Sequence, residues 1–117
     1  MTGMALVSPG EKVHVIERRM FDGDARRHFV GEVEAATDVA VRVTGYTFVC
    51  NPMTGNFDRR EPARTRVIPL GASGVVVYVI PEQIDVESVR YEWSAGNRLV
   101  VRAGRWELFL DEFASAR

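Results

Sequence analysis

The sequence has little cysteine, little lysine and no long apolar run, and each shortage excludes a class of protein. A single cysteine, Cys50, rules out an internal disulfide framework and a cysteine-rich zinc site, which favours a reducing compartment. No apolar stretch reaches the roughly 18 residues that a transmembrane helix needs. The first residues lack the basic-then-apolar order of a signal peptide. We therefore expect a cytoplasmic protein without a membrane partner.

The sequence also lacks a surplus of positive charge. Its 15 basic residues stand against 16 acidic ones, for a net charge of −1, whereas proteins that bind nucleic acid through its phosphates usually carry a basic surplus. Lys12 is the only lysine, so arginine supplies nearly all of the positive charge. Arginine suits planar recognition of carboxylates and phosphates. No glycine-rich phosphate-binding motif is present.

Side chains that could support catalysis are few and scattered. Cys50 follows an apolar run and is interpreted as an inert core residue. His14 falls on the expected exposed side of the first strand and His28 adjoins two arginines, so both are interpreted as polar surface without metal-ligand spacing. Glu32 and Glu34 are interpreted as a solvated strand face. We expect no catalytic residue, no cofactor and no metal site.

The sequence does contain a succession of short alternating apolar and polar patterns, which are typical of β-strands. Turn signals separate them about every 8 to 12 residues, and no segment carries an apolar stripe of helical period. We expect one all-β domain over residues 1–117, with a flexible leader over 1–10. The continuous apolar run Val75–Ile80 predicts a strand buried on both faces. Residues 111–116 are expected to form one helical turn.

A change of phase at Gly45 predicts a sharply bent strand. Large apolar residues fall on odd positions from Val39 to Val43 and on even positions from Tyr46 to Cys50. A shift of one residue sends the side chains to the other face, and a glycine inside a strand often marks a bulge or bend. Small closed barrels need such bends at their corners. The residues expected to share one interior are Val41, Val43, Phe48, Val77, Val79 and Trp106.

The polar stretch over residues 51–64 is the candidate contact surface. It begins with a dense turn cluster and predicts a single exposed loop, which is long for a compact domain. Arginines beside an aromatic residue can bind single-stranded nucleic acid by phosphate contact and stacking. They can equally contact a neighbouring subunit. The candidate contact residues are Phe57, Arg59, Arg60, Arg64 and Arg66.

Residues from about 13 to 81 resemble the Sm-like superfamily of small, strongly bent barrels that assemble into rings. Val13–Val15, a polar turn and Phe29–Gly31 are similar to the first signature of the family. Ala36–Val43 is similar to its hairpin and third strand. Val75–Pro81 is similar to its closing strands, which often finish near a proline.

The resemblance implies a barrel over residues 11–81, to which residues 82–117 add a C-terminal β-meander. It implies a non-enzymatic protein that forms homo-oligomers, with RNA or a protein as the further partner. The sequence departs from the family where no asparagine lies beside Asp38 and where Leu70–Gly71 replaces an Arg-Gly doublet. Those positions build the uridine pocket of RNA-binding members, so the resemblance implies the fold more directly than RNA binding.

Two other functions stay open on the residues alone. One is a small β-barrel enzyme or ligand-binding domain of unknown substrate, with a site lined by Tyr46, Tyr78, Tyr91 and Trp93. Such a site would need a concave pocket with a perturbed titratable group. The other is a purely structural interaction protein, such as a phage-encoded one, without small-molecule chemistry.

Overall fold

The computed structural model describes residues 5–18, 26–71, 74–96 and 98–110, and these contain nine β-strands, one short 3-10 turn at Val86–Ser88 and no α-helix. None of the described segments is a helix that could cross a membrane. The all-β class predicted from the alternating patterns is confirmed. The helical turn expected over 111–116 lies outside the described residues. The strands are β1 Lys12–Glu17, β2 Arg27–Ala36, β3 Ala40–Cys50, β4 Phe57–Arg59, β5 Arg64–Pro69, β6 Val75–Ile80, β7 Arg90–Ser94, β8 Arg98–Ala103 and β9 Trp106–Phe109.

The strands form two antiparallel sheets. The larger sheet has six strands in the order β4-β3-β2-β1-β6, with β5 also paired to β3. The smaller sheet has three strands in the order β7-β8-β9, which is the meander that the last third of the sequence predicts. Within the described part of the chain, β5 and β6 do not pair with each other, so the six-stranded sheet is not closed into a barrel.

Strand β3 changes partner at Gly45. Its first half pairs with β5 as far as Gly45, and its last residues pair with β4. Gly45 lies opposite Gly31 of β2, and a Cβ placed on Gly45 would overlap the carbonyl oxygen of Val30. The two backbones therefore approach too closely for a side chain at the position where the change of phase predicts a bend.

Two apolar clusters cover opposite faces of β1 and β2. The residues of the first, the sheet cluster, come from four strands of the larger sheet: Val13, Val15, Phe29, Val33, Val41, Val43 and Ile68. The second, the interface cluster, lies between the larger sheet and the segment that contains the meander. Its buried residues are Ile16, Val30, Phe48, Phe57, Ile80, Ile84, Val89, Tyr91, Leu99, Val101, Ala103 and Leu110. Because the meander covers one face and the sheet cluster the other, β1 is buried on both faces.

The expectation of one shared interior is wrong. Val41 and Val43 belong to the sheet cluster, and Val77 packs partly buried against it. Phe48 belongs to the interface cluster, and Trp106 packs partly buried against that cluster instead. The physical reason is the docked meander, which creates a second core on the face of the sheet that a simple barrel leaves in solvent.

Strand β6 is half-exposed, and the prediction of a strand buried on both faces is wrong. It pairs only with β1 among the described strands and therefore lies at the edge of the sheet. Val76 is 39% exposed and Val79 is 53% exposed. A continuous apolar run indicates strand structure, but here its edge position leaves two of its valines uncovered.

Residues 5–10 of the expected leader contact the larger sheet, and the polar stretch contains more regular structure than the sequence predicts. The backbone N–H of Gly10 donates to the carbonyl oxygen of Val33 at 2.8 Å, and Val7 packs against the sheet cluster. The stretch over 51–64 is not a single loop, because it contains β4 and leads directly into β5. Its first part is a tight turn in which Asn51 N–H donates to the carbonyl oxygen of Asn56 at 2.7 Å.

Candidate functional site: a buried His–Tyr–His cluster

Two histidines and one tyrosine meet between the two sheets and form what we call the His–Tyr–His cluster. His14 lies on β1, His28 on β2 and Tyr91 on β7. Side chains alternate along a strand, so His14, between Val13 and Val15, faces away from the sheet cluster and towards the meander. All three side chains are buried. The interpretation of His14 and His28 as polar surface is therefore wrong, because the meander covers the face on which they lie.

The three polar atoms form a hydrogen-bonded triangle. The Tyr91 hydroxyl oxygen lies 2.6 Å from His28 Nδ1 and 2.9 Å from His14 Nε2, and the two nitrogens are 3.2 Å apart. The hydroxyl has one proton and can donate to one ring. We assign that bond to His28, at the shorter distance, so that His14 Nε2–H donates to the hydroxyl oxygen. His14 Nδ1 is buried without a hydrogen-bond partner.

Burial keeps the whole cluster uncharged. Burial, followed by repulsion from His28, lowers the pKa of His14 from 6.5 to about 3. Burial, followed by repulsion from Arg26, lowers the pKa of His28 to about 4. Burial also raises the pKa of Tyr91 well above its ordinary value of 10.0. Loss of water disfavours the charged form of each group, so both imidazoles and the phenol are neutral at neutral pH.

Aromatic rings hold the cluster in place. Phe57 stacks on His28 with ring centroids 4.5 Å apart and on Tyr91 at 4.6 Å. Phe48 lies 5.0 Å from Tyr91, and Tyr78 lies 6.5 Å from His14. These centroid separations are typical of packed aromatic pairs, so the Tyr91 hydroxyl is held at its position by ring packing as well as by hydrogen bonds.

The cluster does not fit a metal ion. Two ligands of one tetrahedral zinc ion lie about 3.3 Å apart at ordinary bond lengths, whereas Tyr91 Oη and His28 Nδ1 are separated by a hydrogen-bond distance of 2.6 Å. Metal-bound histidines almost always donate their second N–H, and His14 Nδ1 has no partner. No group of three or more His, Cys, Asp and Glu side chains in the described segments could hold a metal ion.

The four aromatic residues proposed to line a ligand site are not gathered in one cleft. Tyr91 is buried in the cluster, and Trp93 is half-exposed. The Tyr46 ring is covered by the Arg59 guanidinium at 4.4 Å. A cleft of about 480 Å³ lies elsewhere, between Pro9–Lys12 and Val79–Glu82. Its Lys12 ammonium already donates to the carbonyl oxygen of Glu82 at 2.9 Å.

Three of the five candidate contact residues are engaged within the chain. Phe57 is buried in the interface cluster. Arg59 forms an ion pair with Glu61 at 2.9 Å and donates to the carbonyl oxygen of Glu87 at 2.9 Å. Arg66 donates two hydrogen bonds to the Glu17 carboxylate, at 3.1 and 2.8 Å.

The other two candidates, Arg60 and Arg64, are exposed, and within the described part of the chain their side chains form no ion pair. The structure thus does not bring the five residues together as one exposed surface.

The structure supports the interpretation of Glu32 and Glu34 as a solvated strand face and the assignment of Cys50 to a core. Glu32 and Glu34 are exposed, and Cys50 packs partly buried against the interface cluster as a free thiol.

The sequence contains one signal that could have identified the buried histidines. Strand β1 has apolar residues of both parities, Val13 and Val15 on one face and Ile16 on the other. A strand of that kind is covered on both faces, so the histidine inside it is buried. No local sequence pattern predicts that His14 contacts Tyr91, which lies 77 positions away.

Comparisons with known proteins give no match: no family model matches the chain, nor does any curated protein or solved structure. The geometry of the chain alone therefore bears on its function.

Proposed function

We propose that this chain is a non-enzymatic, Sm-like β-module that self-associates into homo-oligomers through the free edges of β5 and β6. The observation behind this proposal is that, among the described strands, each of these two pairs on one side only. An unpaired edge presents a row of free N–H and C=O groups, which is a template for a further strand. Exposed valines accompany both edges, because Val67 of β5 is 62% exposed and Val76 and Val79 of β6 are also uncovered.

The composition of β6 favours a partner at this edge. Proteins usually protect a free edge with lysine, proline or another charge, but β6 reads Val-Val-Val-Tyr-Val-Ile and has no such residue. Strand β5 has the same length of six residues but carries Arg64, Arg66 and Pro69, so β6 is the less protected of the two edges. A β6 edge of one copy can thus pair with the β5 edge of the next and continue the sheet across the interface.

Pairing of two different edges is a head-to-tail contact. Such a contact generates a closed ring when the rotation between copies closes, and a filament when it does not. The strand succession supports the Sm-like part of the proposal, because β6 returns to pair with β1 and β3 changes partner at a glycine.

A second copy of this chain is favoured over RNA as the partner. RNA binding through the 51–64 stretch needs accessible arginines and a stacking ring. Phe57 is buried, and Arg59 and Arg66 already form ion pairs. The near-neutral charge of the whole chain also argues against RNA as the partner.

Light scattering after size-exclusion chromatography tests the proposal. We expect an oligomer at micromolar concentration and a monomer after the double substitution Val76→Lys and Val79→Lys, which places two charges at the β6 edge. Met53→Lys is the matched control, because Met53 is 93% exposed in the turn after β3, away from both edges. A monomeric wild-type chain, or an oligomer that survives the double substitution, would overturn the proposal.

A further inference from the structure

The His–Tyr–His cluster joins the two sheets at a point where apolar contacts surround it. Among the described residues, His14 and His28 are the only buried side chains that can gain a positive charge. Both belong to the six-stranded sheet, and the hydroxyl that bonds them belongs to the meander. The contact between the sheets therefore includes two groups that can acquire a charge.

We propose that the His–Tyr–His cluster is a pH-sensitive latch, which holds the meander on the six-stranded sheet and releases it when the histidines are protonated. This inference goes beyond self-association and does not depend on it.

Within residues 5–18, 26–71, 74–96 and 98–110, no negatively charged group pairs with either ring. No carboxylate in the described segments hydrogen-bonds to either ring. Arg26 precedes β2 and repels a protonated His28. The rings that pack against the two imidazoles from the other strands are those of Phe57 from β4, Tyr78 from β6 and Tyr91 from β7. Tyr46 and Cys50 of β3 pack against the same interface cluster.

The charged residues of the same strands are engaged or exposed elsewhere. On β1, Lys12 donates to backbone carbonyl oxygens and Glu17 is paired with Arg66. On β7, Arg90 and Glu92 form an ion pair at 2.6 Å with each other. On β2 and β4, Arg27, Glu32, Glu34, Asp58 and Arg59 are exposed. Among the described residues, a proton on either imidazole would therefore have no opposite charge beside it inside the interface, and it would lie 3.2 Å from the second ring.

The direction of the pH effect follows from the two histidines. Burial lowers the pKa of His14 to about 3 and that of His28 to about 4 while the meander is docked. In water the same rings have a pKa of about 6.5, so the released state binds more protons between these values. Docking is thus at full strength above about pH 6.5 and weakens as the pH falls towards 4.

The chain has a built-in reporter of the meander. Its two tryptophans are Trp93 on β7 and Trp106 on β9, so tryptophan fluorescence reports the meander alone. Amide hydrogen exchange of β2 and β3 reports the six-stranded sheet independently. The two signals separate when the meander leaves a sheet that stays folded.

The experiment is a titration from about pH 7.5 to 4, followed by both signals and repeated on the Val76→Lys, Val79→Lys variant to separate release from any change of oligomer. We expect the tryptophan emission to shift to longer wavelength below about pH 6.5 while β2 and β3 stay protected. The double variant His14→Gln, His28→Gln, which has no histidine left, should lose that shift. Loss of both signals together, or an unchanged shift in the double variant, would overturn the latch.

A second measurement does not depend on whether the double variant folds. Nitrogen NMR of wild-type protein labelled at histidine reports the protonation of both rings directly. We expect two neutral imidazoles as long as the tryptophan emission is that of the docked state. A ring that titrates near pH 6.5 in the docked state contradicts the proposal.

Discussion

The Tyr91 hydroxyl hydrogen-bonds to both imidazoles of the His–Tyr–His cluster, which also contact each other directly. Tyr91→Phe keeps the stacked ring and removes the hydroxyl, which leaves the two buried nitrogens only their own contact at 3.2 Å. We expect a loss of about 1–3 kcal/mol in the free energy of unfolding, measured by urea denaturation.

Tyr46→Phe is the control for that substitution. Tyr46 is partly buried against the same interface cluster, and no hydrogen bond of its hydroxyl occurs within the described part of the chain. Its substitution should change stability by less than about 0.5 kcal/mol. Equal losses in both variants would show that the hydroxyl of Tyr91 has no special role.

Gly45 is the residue at which a single methyl group has no room. In Gly45→Ala the added Cβ meets the carbonyl oxygen of Val30 and the Cα of Gly31, which are backbone atoms that cannot rotate away. We expect a loss of at least about 3 kcal/mol in thermal or urea unfolding. Gly71→Ala is the control, because no atom of the described residues lies within 4 Å of the added Cβ. A Gly45→Ala protein as stable as the control would contradict the close approach of β2 and β3.

At the scale of elements, the sequence predicts that Phe48 and Val79 share one interior, but the structure places them in different environments. Phe48 is buried against Tyr91 in the interface cluster, whereas Val79 is half-exposed on β6. Phe48→Ala should cost about 3–5 kcal/mol of unfolding free energy, while Val79→Ala should cost less than about 0.5 kcal/mol in a monomeric background. Similar costs would place Val79 in a core after all.

The sequence predicts where strands occur better than it predicts which face of each strand is buried. The strand class and the meander are confirmed, since period-two alternation acts within a few residues. The exposure of β6 depends on which neighbours pack against it. Those neighbours come from distant parts of the chain, and no local pattern specifies them.

At the scale of the whole molecule, the candidate site is the part that the sequence predicts least. His14 bonds to Tyr91 across 77 positions, and His28 bonds to Tyr91 across 63. Only the docking of one sheet on the other brings them together. The 51–64 stretch was predictable as polar, but burial of Phe57 beneath the meander and the pairing of Arg59 with Glu61 were not, because both depend on tertiary contacts.

Because β6 pairs with β1, the six-stranded sheet can be completed only after β6 has been translated. Strands β1 to β3 can pair as soon as they leave the ribosome, but the second edge of β1 stays open until Val75–Ile80 has been made. The face that bears His14 then stays bare until Tyr91 arrives. A nascent chain thus displays an unpaired strand edge and an apolar face in turn. Neighbouring ribosomes on one message bring such chains together, so the copies of this protein can meet while they are still being translated.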